Sequence, residues 1–180
     1  PVLTVSWTEQ ACDPCAAAGP MMGRVLSQEE VVQTAGREAR GPRRVVFTNG
    51  CFDLLHPGHI QTLEAARSLG DLLVVGVNSD RSVRALKGAE RPIVAESERA
   101  EILAAFEAVD FVVIFDQETP RELIAQLLPD VLVKGADWGS EEIVGRAEVE
   151  AAGGRVASIP LQTGYSTSAI LKAIRDTKPA

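Results

Sequence analysis

The chain has no run of the ~18 or more apolar residues that a membrane-crossing helix requires. Its first residues lack the basic-then-apolar layout of a secretory signal. It has no surplus of positive charge either: 18 Lys and Arg face 25 Asp and Glu, a net charge of -7. Long-range attraction to nucleic acid or to an anionic membrane is therefore a poor default, and any anionic ligand must be held by local arrangement. Three cysteines in 180 residues form no disulfide framework. The loop after the first strand-like run has no GxGxxG, which argues against a dehydrogenase-type dinucleotide site. What remains is 46% apolar composition, enough for one well-filled core in a soluble cytoplasmic protein.

Residues 1–26 show no sustained period and carry several turn formers, so they read as a poorly ordered leader. Cys12 and Cys15 within it have CxxC spacing. Neither a preceding strand nor a second ligand pair accompanies them, so redox and zinc chemistry lack the context they need. Residues 27–180 read as a single domain opening with a helix, where Ser27 and Glu30 have capping-box spacing.

Five apolar runs follow: "RRVVFT", "DLLVVGVN", "DFVVIFD", "DVLVKG" and "GRVASIP". Each is continuously apolar, as strands buried on both faces are. Helical patterns separate them, and Thr119, Pro120 and Glu122 are expected to cap the one over 120–128. The alternation predicts an α/β domain with a Rossmann-like, doubly wound, five-stranded parallel sheet and helices on both faces.

In such a sheet ligands gather beyond the carboxyl ends of the strands. The first loop there is "TNGCFDLLHPGH", which holds both histidines of the chain. Pro57 suits the first helical position, making His56 the cap residue and His59 a first-turn residue. Gly58 opens space between them for an anion to reach unpaired backbone N–H groups, where the helix dipole also favours negative charge. A metal pair is the alternative, but two histidines three apart lack the further ligands a zinc site wants. Cys51 reads as a packed small residue rather than a nucleophile. Asp53 is either a cation contact or a buried partner that fixes the loop.

"GCFDLLHPGH" resembles the signature of the HxGH nucleotidyltransferase superfamily. With "NSDRSVRALKG", "RPIVAESERAEILAAFEAVDFVVIF", "PDVLVKGADW" and "GYSTSAIL" in order, the stretch from about Arg43 to Arg175 is similar to the heptose 1-phosphate adenylyltransferases. The resemblance implies transfer of AMP from ATP to a heptose 1-phosphate, giving ADP-heptose and pyrophosphate for lipopolysaccharide core. It assigns His56, His59 and Lys87 to the reacting phosphates, and the backbone of Gly50, Cys51 and Phe52 to the same anion. Lys134, Gly135 and Asp137 would contact the nucleotide, joined by Tyr165, Ser166, Thr167 and Ser168 at a second helix N-terminus. Read without the resemblance, Lys87 is a helix-end lysine, Asp137 with Trp138 a turn, and "STS" a helix cap. Arg91 and Arg99 are weaker phosphate candidates that equally suit pairing with nearby glutamates.

Mg²⁺ is expected on the ATP phosphates, with no protein metal cage. A homodimer and a separate sugar kinase supplying the acceptor are carried over from relatives. One alternative is a cytidylyltransferase for glycerol 3-phosphate or a related polyol phosphate, although "LQTG" stands where those enzymes usually carry an arginine. Another is a nucleotide-binding regulatory module without turnover.

Overall fold

The computed structural model describes residues 23–135, 143–160 and 164–177. In chain order the elements are β1 (Arg24–Leu26), α1 (Gln28–Ala35), β2 (Val45–Gly50), α2 (Pro57–Arg67), β3 (Leu72–Asn78), α3 (Asp80–Lys87) and α4 (Glu96–Ala104). They continue with β4 (Phe111–Phe115), α5 (Arg121–Leu127), β5 (Val131–Gly135), α6 (Arg146–Ala151), β6 (Arg155–Ile159) and α7 (Thr167–Asp176). The sheet order is β1-β4-β3-β2-β5-β6, and every pairing is parallel.

The sheet has six strands, not five. The addition is β1, which lies inside the stretch read as leader and pairs Arg24 to Leu26 with Phe111 to Val113 of β4. Three residues at a sheet edge, two of them exposed, carry too little apolar pattern to be legible beforehand. Cys12 and Cys15 lie outside the described residues.

The continuous apolar runs are explained by two cores, one on each face of the sheet. In β2, Val45 and Phe47 point to the face covered by α1, α5 and α6, whereas Val46 points to the face covered by α2 and α4. Side chains alternate along a strand, so a strand covered on both faces needs apolar residues at every position. All seven residues of β3 are buried. Each fully buried Val, Leu or Phe contributes about 1.5–3 kcal/mol relative to exposure.

Local signals held at α1, where Ser27 Oγ accepts from the Glu30 N–H at 3.2 Å and the Glu30 carboxylate accepts from the Ser27 N–H at 2.8 Å. Donation from the Ser27 N–H, and then from the Ser27 hydroxyl, holds the Glu30 carboxyl below its ordinary pKa. The cap expected at α5 is different. Pro120 occupies the cap position, no side chain caps the helix, and Glu122 instead accepts from Gln117 Nε2 at 3.2 Å.

Chain connections run from β2 through β3 to β4 on one side and return to β5 and β6 on the other. The reversal falls between β2 and β5. In open α/β sheets ligands bind in the crevice beyond the carboxyl ends of the strands at such a reversal.

Candidate active site

The loop after β2 enters the crevice first. Phe52 has φ 48, an uncommon left-handed conformation for a residue with a side chain. It is kept there by burial of its ring, which packs against the Gly50 backbone on one side and lies 5.4 Å from the His59 ring on the other. The turn lets the chain pass from strand to helix within six residues and brings both histidines to the start of α2.

His56 is the cap residue and Pro57 the first helical residue. The His56 N–H donates to His59 Nδ1 at 3.4 Å. That bond makes Nδ1 of His59 an acceptor and leaves its ring proton on Nε2, so the donor edge of His59 faces away from its own backbone. The two rings stack at 3.9 Å between centroids, and Tyr165 lies roughly parallel to His56 at 6.2 Å. A side chain at Gly58 would put its Cβ 3.1 Å from His56 Nδ1 and 3.3 Å from Tyr165 Cβ, so glycine is what permits this stack.

Burial pushes the His59 pKa down to about 4, and the neighbouring His56 pushes the same way. Burial also lowers His56. Both imidazoles are neutral near pH 7, each with one N–H to donate. His56 Nδ1 is buried and has no partner, a polar atom left for something the described residues do not supply.

Among the described residues the loop before α7 meets the first loop through a hydrogen bond from Thr167 Oγ1 to the Leu54 carbonyl at 3.2 Å. Ser166 caps α7, its Oγ accepting from the Ala169 N–H at 3.1 Å. Tyr165 is 47% exposed, Ser166 and Ser168 are exposed, and α7 has no buried residue. Two helix N-termini thus stand on either side of the histidines.

On the other side of the first loop is a cavity of about 420 Å³. Its walls include Asn49 and Cys51 at the end of β2, Asn78 of β3, Lys87 of α3, Thr119 ahead of α5 and Lys134 of β5. Lys134 Nζ donates to Asn49 Oδ1 across the β2–β5 crevice. Lys87 ends α3, and its charge acts on the Cys51 thiol; burial outweighs it and raises that thiol's pKa. Cys51 is therefore a protonated, half-buried wall residue, as a packing role requires. A larger hollow of about 650 Å³ beside Ile60, Arg67 and Phe106 lies along the flank of α2. It is remote from the strand ends, and Arg67 is held there by Asp110 at 3.1 Å.

The sequence candidates thus fall into two adjoining groups. His56, His59, Tyr165 and Thr167 flank the start of α2, while Gly50, Cys51, Lys87, Lys134 and Gly135 line the cavity. Phe52 is a buried hinge between the groups. Asp137 lies outside the described residues.

Sequence reasoning missed the cavity residues Asn49, Asn78 and Thr119. No local pattern marks them, because three separate strand ends bring them together. Of the two readings open for Arg91 and Arg99, the structure shows ion pairing for both, with aspartates in place of the glutamates expected. Arg91 pairs with Asp53, whose Oδ1 also accepts from the N–H groups of Ile93 at 2.7 Å and Val94 at 3.0 Å. Both carboxylate oxygens of Asp53 are therefore engaged, and its role is to clamp residues 91–94 under the histidine loop. Among the described residues no group of three or more His, Cys, Asp or Glu side chains could hold a metal ion. No described helix is long and apolar enough to cross a membrane.

Comparison with known proteins matches residues 47–173 to the Cytidylyltransferase-like family. A protein named Bifunctional protein HldE from Geotalea uraniireducens (strain Rf4) is 60% identical over 133 residues, which is 74% of this chain and 27% of that protein. Its namesake from Koribacter versatilis (strain Ellin345) is 54% identical over 83% of this chain and 31% of its own length. The chain thus spans less than a third of these curated relatives. Among solved structures, the lipopolysaccharide core biosynthesis protein from Thermoplasma volcanium GSS1 superposes with TM-score 0.55 at 27% identity, covering 69% of this chain and 99% of that one. Pantothenate synthetase from Thermus thermophilus shares the fold at TM-score 0.54 and 17% identity, over 83% of this chain and 70% of its own.

Proposed function

The chain belongs to the cytidylyltransferase-like family, and on that premise we propose that it transfers AMP from ATP to a heptose 1-phosphate, forming ADP-heptose and pyrophosphate. The observation that carries the reading is the pair of adjoining compartments at the β2–β5 crevice. One is edged by neutral imidazoles and two helix N-termini, and the other is a cavity with lysines at its walls. A triphosphate suits the first and a phosphorylated acceptor the second. The motif order from "GCFDLLHPGH" to "GYSTSAIL" supports heptose as the sugar, as does the likeness to a lipopolysaccharide core biosynthesis protein.

In the proposed reaction an oxygen of the acceptor phosphate attacks the α-phosphorus of ATP, and the bond from that phosphorus to the bridging oxygen of the β-phosphate breaks. The electron pair leaves with pyrophosphate. A phosphate monoester, with a second pKa of about 6, is already mostly ionised at neutral pH, so no general base is needed. Catalysis then rests on alignment and on donors aimed at the charge that grows on the leaving group. His59 Nε2–H and the His56 ring are such donors, and their depressed pKa values fit donors that carry no proton to exchange. Lys134 and Lys87 offset the charge of two anions brought together. Mg²⁺ enters as part of the MgATP substrate, held mainly by phosphate oxygens and water. Asp53 is not available to it.

Asp137 and Ser168 are proposed nucleotide contacts on the resemblance, while Gly135 falls on the wall of the cavity proposed for the acceptor. A homodimer, a cytoplasmic location and a kinase step that supplies the acceptor belong to the same proposal.

The test is a panel of ATP and CTP against both heptose 1-phosphate anomers and glycerol 3-phosphate, read by pyrophosphate release. ATP with a heptose 1-phosphate should be the productive pair, and His56→Ala or His59→Ala should lower turnover about 10²-fold or more in folded protein. A preference for CTP with glycerol 3-phosphate would replace the reading with the cytidylyltransferase one. Tight ATP binding with no release from any acceptor would leave a nucleotide-binding module.

A further inference from the structure

Arg99 is the largest fully buried side chain in the described protein, 1% exposed, and it belongs to neither compartment. It sits in the second turn of α4, on the face turned to the strand ends. Its guanidinium reaches four partners on three stretches of chain: the loop after β2, the β3–α3 junction and the loop before α4. Nε donates to the Val94 carbonyl at 2.9 Å, Nη1 to the Cys51 carbonyl, and Nη2 to both the Asn78 carbonyl and Asp80 Oδ1 at 2.8 Å. A planar fork with fixed donor directions imposes a geometry on its acceptors that a flexible ammonium would not. Burying such a charge is costly, so a role in mere adhesion between elements would be served as well by apolar packing.

The carbonyls it chooses are informative. Cys51 is in the loop that leads to the histidines, and its peptide plane also carries the Phe52 N–H. In a trans peptide the C=O and the following N–H point in opposite directions. Pinning the Cys51 oxygen toward Arg99 therefore turns the Phe52 N–H away from the core. Asn78 ends β3 and lines the cavity. Cys51 lines the same cavity and also opens the loop that leads to the histidines, so one guanidinium ties that loop to the cavity wall. Asp80, the counter-charge, is itself fixed by its N–H donating to Glu96 Oε2 at 2.6 Å, which ties the start of α3 to the start of α4.

We infer that Arg99, held by Asp80, is a positioning residue that sets the separation between the triphosphate loop and the acceptor cavity. The inference rests on the nucleotidyl-transfer reading above. Its signature is specific: loosening the strut should leave each substrate able to bind and should impair their alignment. Misplacement of reacting groups by about 1 Å can cost about 10²-fold in rate.

The experiment compares Arg99→Lys and Asp80→Asn with the unaltered protein, using kcat with ATP and heptose 1-phosphate, the ATP dissociation constant by calorimetry, and thermal unfolding. Arg121→Gln, which removes a pair between an exposed Arg121 and a half-buried Glu148, neither of them on the cavity wall, serves as the control for loss of an ion pair. Asp80→Asn should lower kcat about 10-fold and Arg99→Lys about 10²-fold, with ATP affinity changed less than about threefold and Arg121→Gln unaffected. Equal kcat per folded molecule in the Asp80 variant would overturn the inference, whatever its unfolding temperature. So would loss of ATP binding in proportion to kcat, since Arg99 would then act through the donor site alone. If Arg99→Lys fails to fold, Asp80→Asn decides. If the unaltered protein releases no pyrophosphate with any acceptor, the failure is that of the nucleotidyl-transfer reading; the inference falls with it and is not separately at fault.

Discussion

The loop after β2 and the loop before α7 both bring a helix N-terminus to the same crevice, yet they are built to opposite specifications. The first holds a strained Phe52 in place by burial, clamps Asp53 between Arg91 and two backbone N–H groups, and has its Cys51 carbonyl pinned by Arg99. The second is followed by a helix without a buried residue and touches the first through Thr167 and the Tyr165 ring. Strain at a functional turn persists only where the surroundings over-determine it. The first loop has that surplus of restraints, whereas among the described residues the second shows the Ser166 cap, the Thr167 bond and the Tyr165 ring contact. The histidine side of the site is thus braced by contacts already present within the protein.

The greatest expected effect comes from dismantling the braced side. Asp53 has a fully buried side chain, and Asp53→Ala would strand the Arg91 guanidinium and the N–H groups of Ile93 and Val94. Removing one partner of a buried pair costs about 3–5 kcal/mol. Urea unfolding should show a loss of that order. A loss under about 1 kcal/mol would mean that the clamp is not what braces the loop.

The matching change on the other side should be small and local. Ser166→Ala removes the cap of α7, worth about 1 kcal/mol. Because α7 is not packed into either core, its fraying should not propagate to the sheet. Amide exchange should quicken through residues 167–176 while the global urea midpoint stays where it was. A shift of the midpoint comparable to that of Asp53→Ala would erase the distinction between the loops.

The same contrast explains what was legible in the sequence. β2 to β5 could be read because burial on both faces forces an unbroken apolar run, as in "LLVVGVN", whereas β6, exposed or half-buried throughout, was read from its Val156, Ala157 and Ile159 alone. The histidine loop could be read because its parts are consecutive: a cap, a proline, a glycine and a first-turn residue. β1 could not, being three residues at an exposed edge. Arg99 was left between a phosphate contact and a pairing with glutamates because its environment is set by stretches of chain up to 48 residues away. Thr119 was read as a helix cap, whereas it lies on the cavity wall while Pro120 caps the helix. What sequence reading lacks in each case is the tertiary partner, and the cavity is made almost wholly of such partners.

The last expected effect is a pH dependence of stability that belongs to the histidine loop. Burial holds His59 at about 4 in the folded protein against an ordinary value of 6.5, and His56 is shifted in the same direction. Between those two values the unfolded chain carries a proton at position 59 that the folded chain does not, so stability rises with pH across the window and levels off above it. Acidification from pH 7 toward 4 should therefore lower the unfolding temperature. Carboxylates titrate over the same range, which makes the informative quantity the difference from His59→Asn, a variant with no proton to gain. The variant should lose less stability than the unaltered protein over that interval. Bound MgATP should shrink the difference, because a polyanion beside the ring favours its protonated form and offsets the burial. Parallel pH profiles without nucleotide would mean that His59 is no more buried than the exposed loop before α7, and the asymmetry between the two sides of the site would lose its electrostatic half.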